Sequence, residues 1–247
     1  MNLLVDIGNS RIKWCAATGR RLGEVSGLAH ERGAMPVALE LAWRDLPPPT
    51  RILVCSVADP QLQSRIGDLT EQLWGQRPEY LAVTRECLGL HNAYPVPENL
   101  GPDRWAALLA AHAEGIAPCI IVDAGTAVTV DVLAEGGDHR GGVIFAGLEL
   151  SRHALTARAH RLPPVADGEL PVLAVDTPEA IRLGTREALV GALERLLRRI
   201  HERHGRMRLL VTGGDAPLLL EALGGEAPEY RPELVLAGLA AVLEGRQ

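Results

Sequence analysis

One short pattern occurs twice in this chain. Leu3-Leu4-Val5-Asp6-Ile7-Gly8-Asn9-Ser10 aligns with Ile120-Ile121-Val122-Asp123-Ala124-Gly125-Thr126-Ala127, matching an apolar run, an aspartate, a glycine and a small polar residue at an offset of 117. In a chain of 247 residues that offset is nearly half the length, which marks a duplicated domain. Each apolar run reads as a buried strand stopped by an Asp-x-Gly turn. Alternation then resumes, with Ile12, Trp14 and Ala16 against Arg11, Lys13 and Cys15 in the first copy, and from Val128 to Leu133 in the second.

Between and beyond the copies, strands alternate with helical stretches. Pro36 opens a helix to about Leu46, Arg51 to Val57 is a buried strand, Pro60 to Trp74 is an amphipathic helix and Tyr80 to Val83 is a further strand. A loop rich in Pro and Gly runs from Arg85 to Gly101, and Pro102 starts a helix reaching Glu114. The second half adds a strand at Gly142 to Phe145, a long helix from Pro178 to Arg203, a strand at Leu209 to Thr212 and a helix from Pro232 to Glu244; Pro163 to Val175 reads as a variable loop. The class is α/β with mixed sheets, divided into residues 1–116 and 117–247.

Composition removes several functions. The net charge of −6 argues against a broad basic surface for nucleic acid or anionic membrane. The apolar run Leu234 to Leu243, interrupted by Gly238, is about half the roughly 18 residues of a spanning helix, and Asp6 falls where a secretory signal would be apolar. Cys15, Cys55, Cys87 and Cys119 lack metal-ligand spacing and fit buried thiols in a reducing cytoplasm. His201 and His204 lie among Arg198, Arg199, Glu202 and Arg203 and read as a solvated helix face. With Phe145 the sole phenylalanine, the core is expected to be aliphatic; of 25 basic residues, only Lys13 is lysine.

Three glycine turns follow buried strands: Asp6 to Ser10, Asp123 to Thr126, and Thr212-Gly213-Gly214-Asp215. Glycine lets backbone N–H groups approach an anion, while the two aspartates imply an intervening cation or metal-bound water. Neither a Walker P-loop nor a dinucleotide fingerprint occurs. Twin Asp-x-Gly hairpins with a later Gly-Gly turn resemble the superfamily of sugar kinases, actin and the heat-shock cognate ATPase, which implies two ribonuclease-H-like domains, an actin-like ATPase fold, with ATP held by the turns.

The segment from His91 to Trp105, with Tyr94 and Gly101-Pro102-Asp103-Arg104, narrows the likeness: the chain resembles the type III pantothenate kinases. Asp6-x-Gly-Asn-Ser-x-x-Lys13-Trp14, Asp123-x-Gly-Thr-Ala, Gly141-Gly142-x-Ile144-x-x-Gly147, Thr177-x-x-Ala180-Ile181-x-x-Gly184 and Thr212-Gly-Gly-Asp215 extend it over the whole chain. The resemblance implies ATP-dependent phosphorylation of pantothenate, with Asp103 as the base. It assigns Tyr94, Gly101, Pro102, Asp103, Arg104 and Thr177 to pantothenate. ATP falls to Asp6, Ile7, Gly8, Asn9, Ser10, Arg11, Ile12, Lys13, Thr126, Gly213 and Gly214, and Asp123 to a monovalent cation, potassium or ammonium, needed beside magnesium. It further implies a homodimer in which the Thr177 region reaches the neighbouring subunit's site. Arg104, at a helix N-terminus, suits the substrate carboxylate and would keep Asp103 ionised. Thr177 before Pro178 also reads as a helix cap. The chain departs from the pattern at Ala146, where the family usually has proline. The rival reading is a catalytically weak family member serving as an accessory protein in transcription.

Overall fold

The computed structural model describes residues 1–30, 35, 37–157, 171–223, 225 and 227–245. Pro36 and residues 163–170 of the expected variable loop lie outside them. The first strand, β1 (Asn2–Ile7), sends Leu3, Val5 and Ile7 into the core, and β2 (Arg11–Thr18) returns antiparallel beside it. Gly8 N–H donates to the Arg11 carbonyl at 2.9 Å and closes the hairpin, whose register sets Asp6 opposite Lys13. Two short strands that alternation did not reveal, β3 (Arg21–Leu22) and β4 (Ser26–Ala29), pair with β2.

Next come α1 (Val37–Arg44), β5 (Ile52–Ser56) parallel to β1, α2 (Pro60–Trp74) and β6 (Glu79–Tyr80) parallel to β5. Asp59 caps α2 by accepting from Gln61 N–H at 2.8 Å, and left-handed Gly75, at φ 69°, ends it. The core here is not wholly aliphatic. Trp43 packs edge-on to Trp14 at 6.2 Å and stacks on Trp74 at 5.8 Å, so scarcity of phenylalanine misled the reading for this half. The long loop contains a small hairpin, β7 (Glu86–Cys87) and β8 (Leu90–His91), before α3 (Pro102–Ala113).

The second sheet repeats the first. Its strands are β9 (Cys119–Ala124), β10 (Ala127–Leu133), β11 (His139–Ala146), β12 (Arg208–Thr212) and β13 (Glu229–Tyr230). The order β11-β10-β9-β12-β13 reproduces β3-β2-β1-β5-β6 position by position. A two-residue turn at Gly125 and Thr126 joins β9 to β10, which only an antiparallel pair permits, whereas β12 and β13 are parallel, so both sheets are mixed. Even an ion pair is duplicated. Arg51 grips Glu79 with two 2.8 Å bonds beside the β5–β6 pair, and Arg208 grips Glu229 with two 2.8 Å bonds across β12 and β13. The flanking helices are α4 (Leu148–Thr156), α5 (Thr177–His204), α6 (Ala216–Ala222) and α7 (Leu234–Gly245).

By packing, the chain forms two compact units: residues 1–119, 131–141 and 233–247, and residues 120–130 and 142–232. Helix α7 is apolar on nearly every face and therefore buried, and it lies along α3 within the first unit. Gly238 makes the approach feasible, since a Cβ there would lie 2.0 Å from the Ala106 carbonyl oxygen. Among the described residues no helix is long and apolar enough to cross a membrane.

Candidate active site

In the first unit, the hairpin from Asp6 to Lys13 separates side chains by role. Ile7 and Ile12 are fully buried in the core, so any ligand contact from them is made by backbone. Asn9, Ser10 and Arg11 are exposed at the tip, while Asp6 and Lys13 are half-buried on one face of the strand pair. His30 Nε2 lies 3.0 Å from the Gly8 carbonyl oxygen and braces the turn.

The second unit brings two of the glycine turns together. Gly213, at φ +94°, leaves its backbone so close to the first turn that a Cβ would lie 2.3 Å from the Ala124 carbonyl oxygen, and Asp215 N–H donates to that oxygen at 2.9 Å. Gly147 docks on the other side, donating to the Thr126 carbonyl at 3.0 Å, where a Cβ would lie 2.4 Å from the Gly125 oxygen. Ala146, in place of the family's proline, is an exposed strand end beside it. Asp123 is half-buried and Thr126 exposed at this junction. A Cβ on Gly214 would meet nothing within 4 Å, so that backbone faces open space.

Tyr94, Gly101, Asp103 and Arg104 meet at the start of α3 in the first unit. Gly101 is the cap, Pro102 supplies a fixed φ at the first position, and the Asp103 carboxylate turns back to accept from Arg104 N–H at 2.8 Å. Gly101 has an ordinary φ of −57°. Space, not conformation, demands the glycine: a Cβ would lie 2.6 Å from Asp103 Oδ1. Burial raises the Asp103 pKa above its usual value, outweighing backbone N–H bonds and the attraction of Arg104. Arg104 favours the ionised form of Asp103, as expected of a neighbouring cation, but burial opposes it more strongly.

Arg104 is buried and forks onto Asp131, Nε to Oδ2 and Nη2 to Oδ1, both at 2.7 Å. Its Nη1 donates to the Tyr94 hydroxyl at 3.0 Å, and His139 Nε2 lies 2.8 Å from Asp131 Oδ1. Burial would raise Asp131, yet hydrogen bonds from His139 and Arg104 hold its pKa below the usual value; the same ion pair raises Arg104. Sequence reasoning missed Asp131 and His139. The available signal was an acid inside the apolar strand from Val128 to Leu133, because a buried carboxylate requires a partner. Arg85 and Asn92 fix the Tyr94 loop, Arg85 by donating to the Tyr94 carbonyl at 2.7 Å and Asn92 by accepting from Tyr94 N–H at 2.9 Å.

Thr177 does not cap α5. Asp176 does, accepting from Glu179 N–H at 2.8 Å, and Thr177 is the exposed first helical residue. It lines a groove of about 740 Å³ in the second unit with Phe145, Leu155, Val175, Ile181 and Leu189. No cluster of three His, Cys, Asp or Glu side chains suited to a metal occurs among the described residues.

A family model described as type III pantothenate kinase matches residues 2–199. The chain is 39% identical to a protein of that name from Aromatoleum aromaticum over 98% of this chain and 97% of the relative. It is 41% identical to one from Stenotrophomonas maltophilia, strain R551-3, over 96% and 95%. Among solved structures, a Campylobacter jejuni protein assigned to the Baf family of transcriptional activators superposes with a TM-score of 0.63 at 20% identity, covering 99% of this chain and 98% of that one. The activator of 2-hydroxyisocaproyl-CoA dehydratase from Clostridium difficile, solved with bound ADPNP, gives 0.58 at 12% identity, covering 99% and 93%. These distant likenesses establish the fold alone, the actin-like ATPase fold with two ribonuclease-H-like sheets. The near full-length relatives establish more: the chain belongs to the type III pantothenate kinase family.

Proposed function

We propose that this protein transfers the γ-phosphoryl group of ATP to the primary hydroxyl of pantothenate, giving 4′-phosphopantothenate in the first step of coenzyme A synthesis. The observation that carries the reading is the first turn of α3, where the Asp103 carboxylate folds back over Gly101 with its pKa raised by burial. A carboxylate so held is a stronger base than an exposed one, and it orients the hydroxyl as it takes the proton; phosphoryl transfer asks for little beyond positioning and charge stabilisation. Arg104 uses three of its five N–H donors on Asp131 and Tyr94, so it offers the substrate carboxylate directed N–H groups more than net charge. Tyr94, Gly101 and Pro102 complete the pantothenate site, to which Thr177 of the partner subunit would be added. The Gly8 to Ser10 backbone, Lys13, Thr126, Gly213 and Gly214 serve ATP.

Magnesium needs no dedicated cage of side chains, since it would enter on the ATP phosphates and keep several waters. Asp123, beside the carbonyls of a tight turn, is an oxygen donor set suited to a monovalent cation, which when bound offsets phosphate charge. The duplicated halves are read as 1–116 and 117–247. A homodimer formed through the second unit is supported by its exposed Val143, Ile144, Leu150 and Leu155, and Thr177 on the same unit would serve the partner's site. A cytoplasmic location accords with ATP use and with four cysteines that form no disulfide.

The test is a coupled ATP-consumption assay with and without pantothenate, in potassium and in sodium buffer. Turnover should require pantothenate, be faster in potassium, and fall about 10²- to 10⁴-fold in Asp103→Asn. Wild-type turnover in that variant removes Asp103 as the base. No turnover with either cation overturns the whole reading.

A further inference from the structure

Two buried residues back the side chains assigned to pantothenate, Asp131 bonding Arg104 and His139 stacking on Tyr94, and the proposed reaction gives neither a task. Tyr94, Arg104, Asp131 and His139, all in the first unit, close a ring. Arg104 binds Asp131 through two 2.7 Å bonds, Asp131 binds His139 at 2.8 Å, and the Tyr94 hydroxyl returns to Arg104 at 3.0 Å. The remaining side of the ring is a stack of His139 on Tyr94, 6.1 Å between centroids and 16° between planes.

Stability is a poor explanation for such a group. A buried ion pair contributes little that an apolar set of the same volume would not. His139 sharpens the point. Its Nε2 must carry the proton donated to the Asp131 carboxylate, and Nδ1 is left buried without a hydrogen-bond partner, a defect an apolar side chain would remove. Nor do the pair reach a ligand, since the His139 side chain is 0% and that of Asp131 3% exposed. What the ring does fix is the plane of the guanidinium and the plane of the phenol. An arginine already held by two bonds loses little further freedom on gripping a ligand.

We infer that Asp131 and His139 are positioning residues for pantothenate, holding Arg104 and Tyr94 in the binding arrangement before the substrate arrives. The inference rests on the assignment of Arg104 and Tyr94 to the pantothenate site. It confines their effect to one substrate of the two.

Steady-state kinetics with each substrate varied, together with thermal unfolding, test it on wild type, Asp131→Asn, His139→Phe and His139→Gln. Asn removes the charge the fork needs, Phe keeps a ring on Tyr94 without the N–H, and Gln restores an N–H donor. The KM for pantothenate should rise about tenfold or more in Asp131→Asn and His139→Phe, the scale seen when partners behind metal ligands are lost. The KM for ATP should stay within about twofold, and His139→Gln should recover most of the loss. An unchanged pantothenate KM in folded variants, or a joint rise in both KM values with a lowered unfolding temperature, overturns the inference. Should Asp131→Asn fail to fold, the two His139 variants carry the same comparison. Wild-type enzyme that ignores pantothenate removes the functional reading and this inference with it, whereas active wild type with indifferent variants removes the inference alone.

Discussion

A single methyl group on Gly101 would lie 2.6 Å from Asp103 Oδ1, and the carboxylate, at the end of a flexible side chain, would be the part to move. Gly101→Ala is therefore expected to leave the unfolding temperature nearly unchanged while lowering kcat by roughly tenfold to a hundredfold, the cost of a misplaced reacting group. Measuring both on one preparation decides it. Asp103 itself ties function to pH. Its folded-state pKa lies above the ordinary 3.8, so the fold holds the proton more tightly than the unfolded chain does. Its contribution to stability is present below 3.8 and is lost as the pH rises through the raised value. Activity runs the other way, since the base must be ionised. The acidic limb of kcat/KM should fall above pH 3.8, and Asp103→Asn, though severely slowed, should be at least as resistant to heat at neutral pH. The arginine-rich composition also resolves at this scale. Arg51, Arg104 and Arg208 each present the planar fork to one carboxylate, a geometry that lysine cannot supply.

At the scale of elements, glycines set where backbones meet. In α7 a Cβ on Gly238 would sit 2.0 Å from the Ala106 oxygen, and backbone cannot swing aside as a carboxylate can. Gly238→Ala should cost about 1–3 kcal/mol or more in urea unfolding, with the pantothenate and ATP KM values of the surviving folded enzyme unchanged. Sequence showed that glycine only as an interruption in an apolar run, because the partner helix lies more than a hundred residues away. Legibility followed the range of the interactions. Both Asp-x-Gly hairpins, the strands they join and the start of α3 at Pro102 depend on neighbours in sequence and were read correctly. Strands β3, β4 and β13, at two to four residues, carry too few positions to show alternation. The cap of α5 was misassigned by one residue because Thr177 and Asp176 are both good caps, and only the backbone at Asp176, at φ −135° and ψ 163°, decides between them. Asp131 became visible as the partner of Arg104, and His139 as the partner of Asp131 and Tyr94, only in the folded chain, because they lie far from Arg104 and Tyr94 in sequence.

For the whole molecule, the repeat at an offset of 117 residues is the feature that sequence carried furthest: two sheets with one strand order. Packing, however, groups residues 233–247 with the first sheet and not the second. A chain ending before Leu234 should leave Leu108, Leu109 and the face of α3 uncovered, and should be lost to aggregation or to limited proteolysis that the full chain resists. Protein synthesis gives that closure a direction in time. When Cys119 leaves the ribosome, the helix that completes the first core begins to emerge only 115 residues later, the difference between 119 and 234. At about 5–20 residues per second that is a wait of roughly 6–23 s. The half translated first is thus the half finished last, and during that interval its α3 face is open to whatever chaperone or neighbouring nascent chain reaches it.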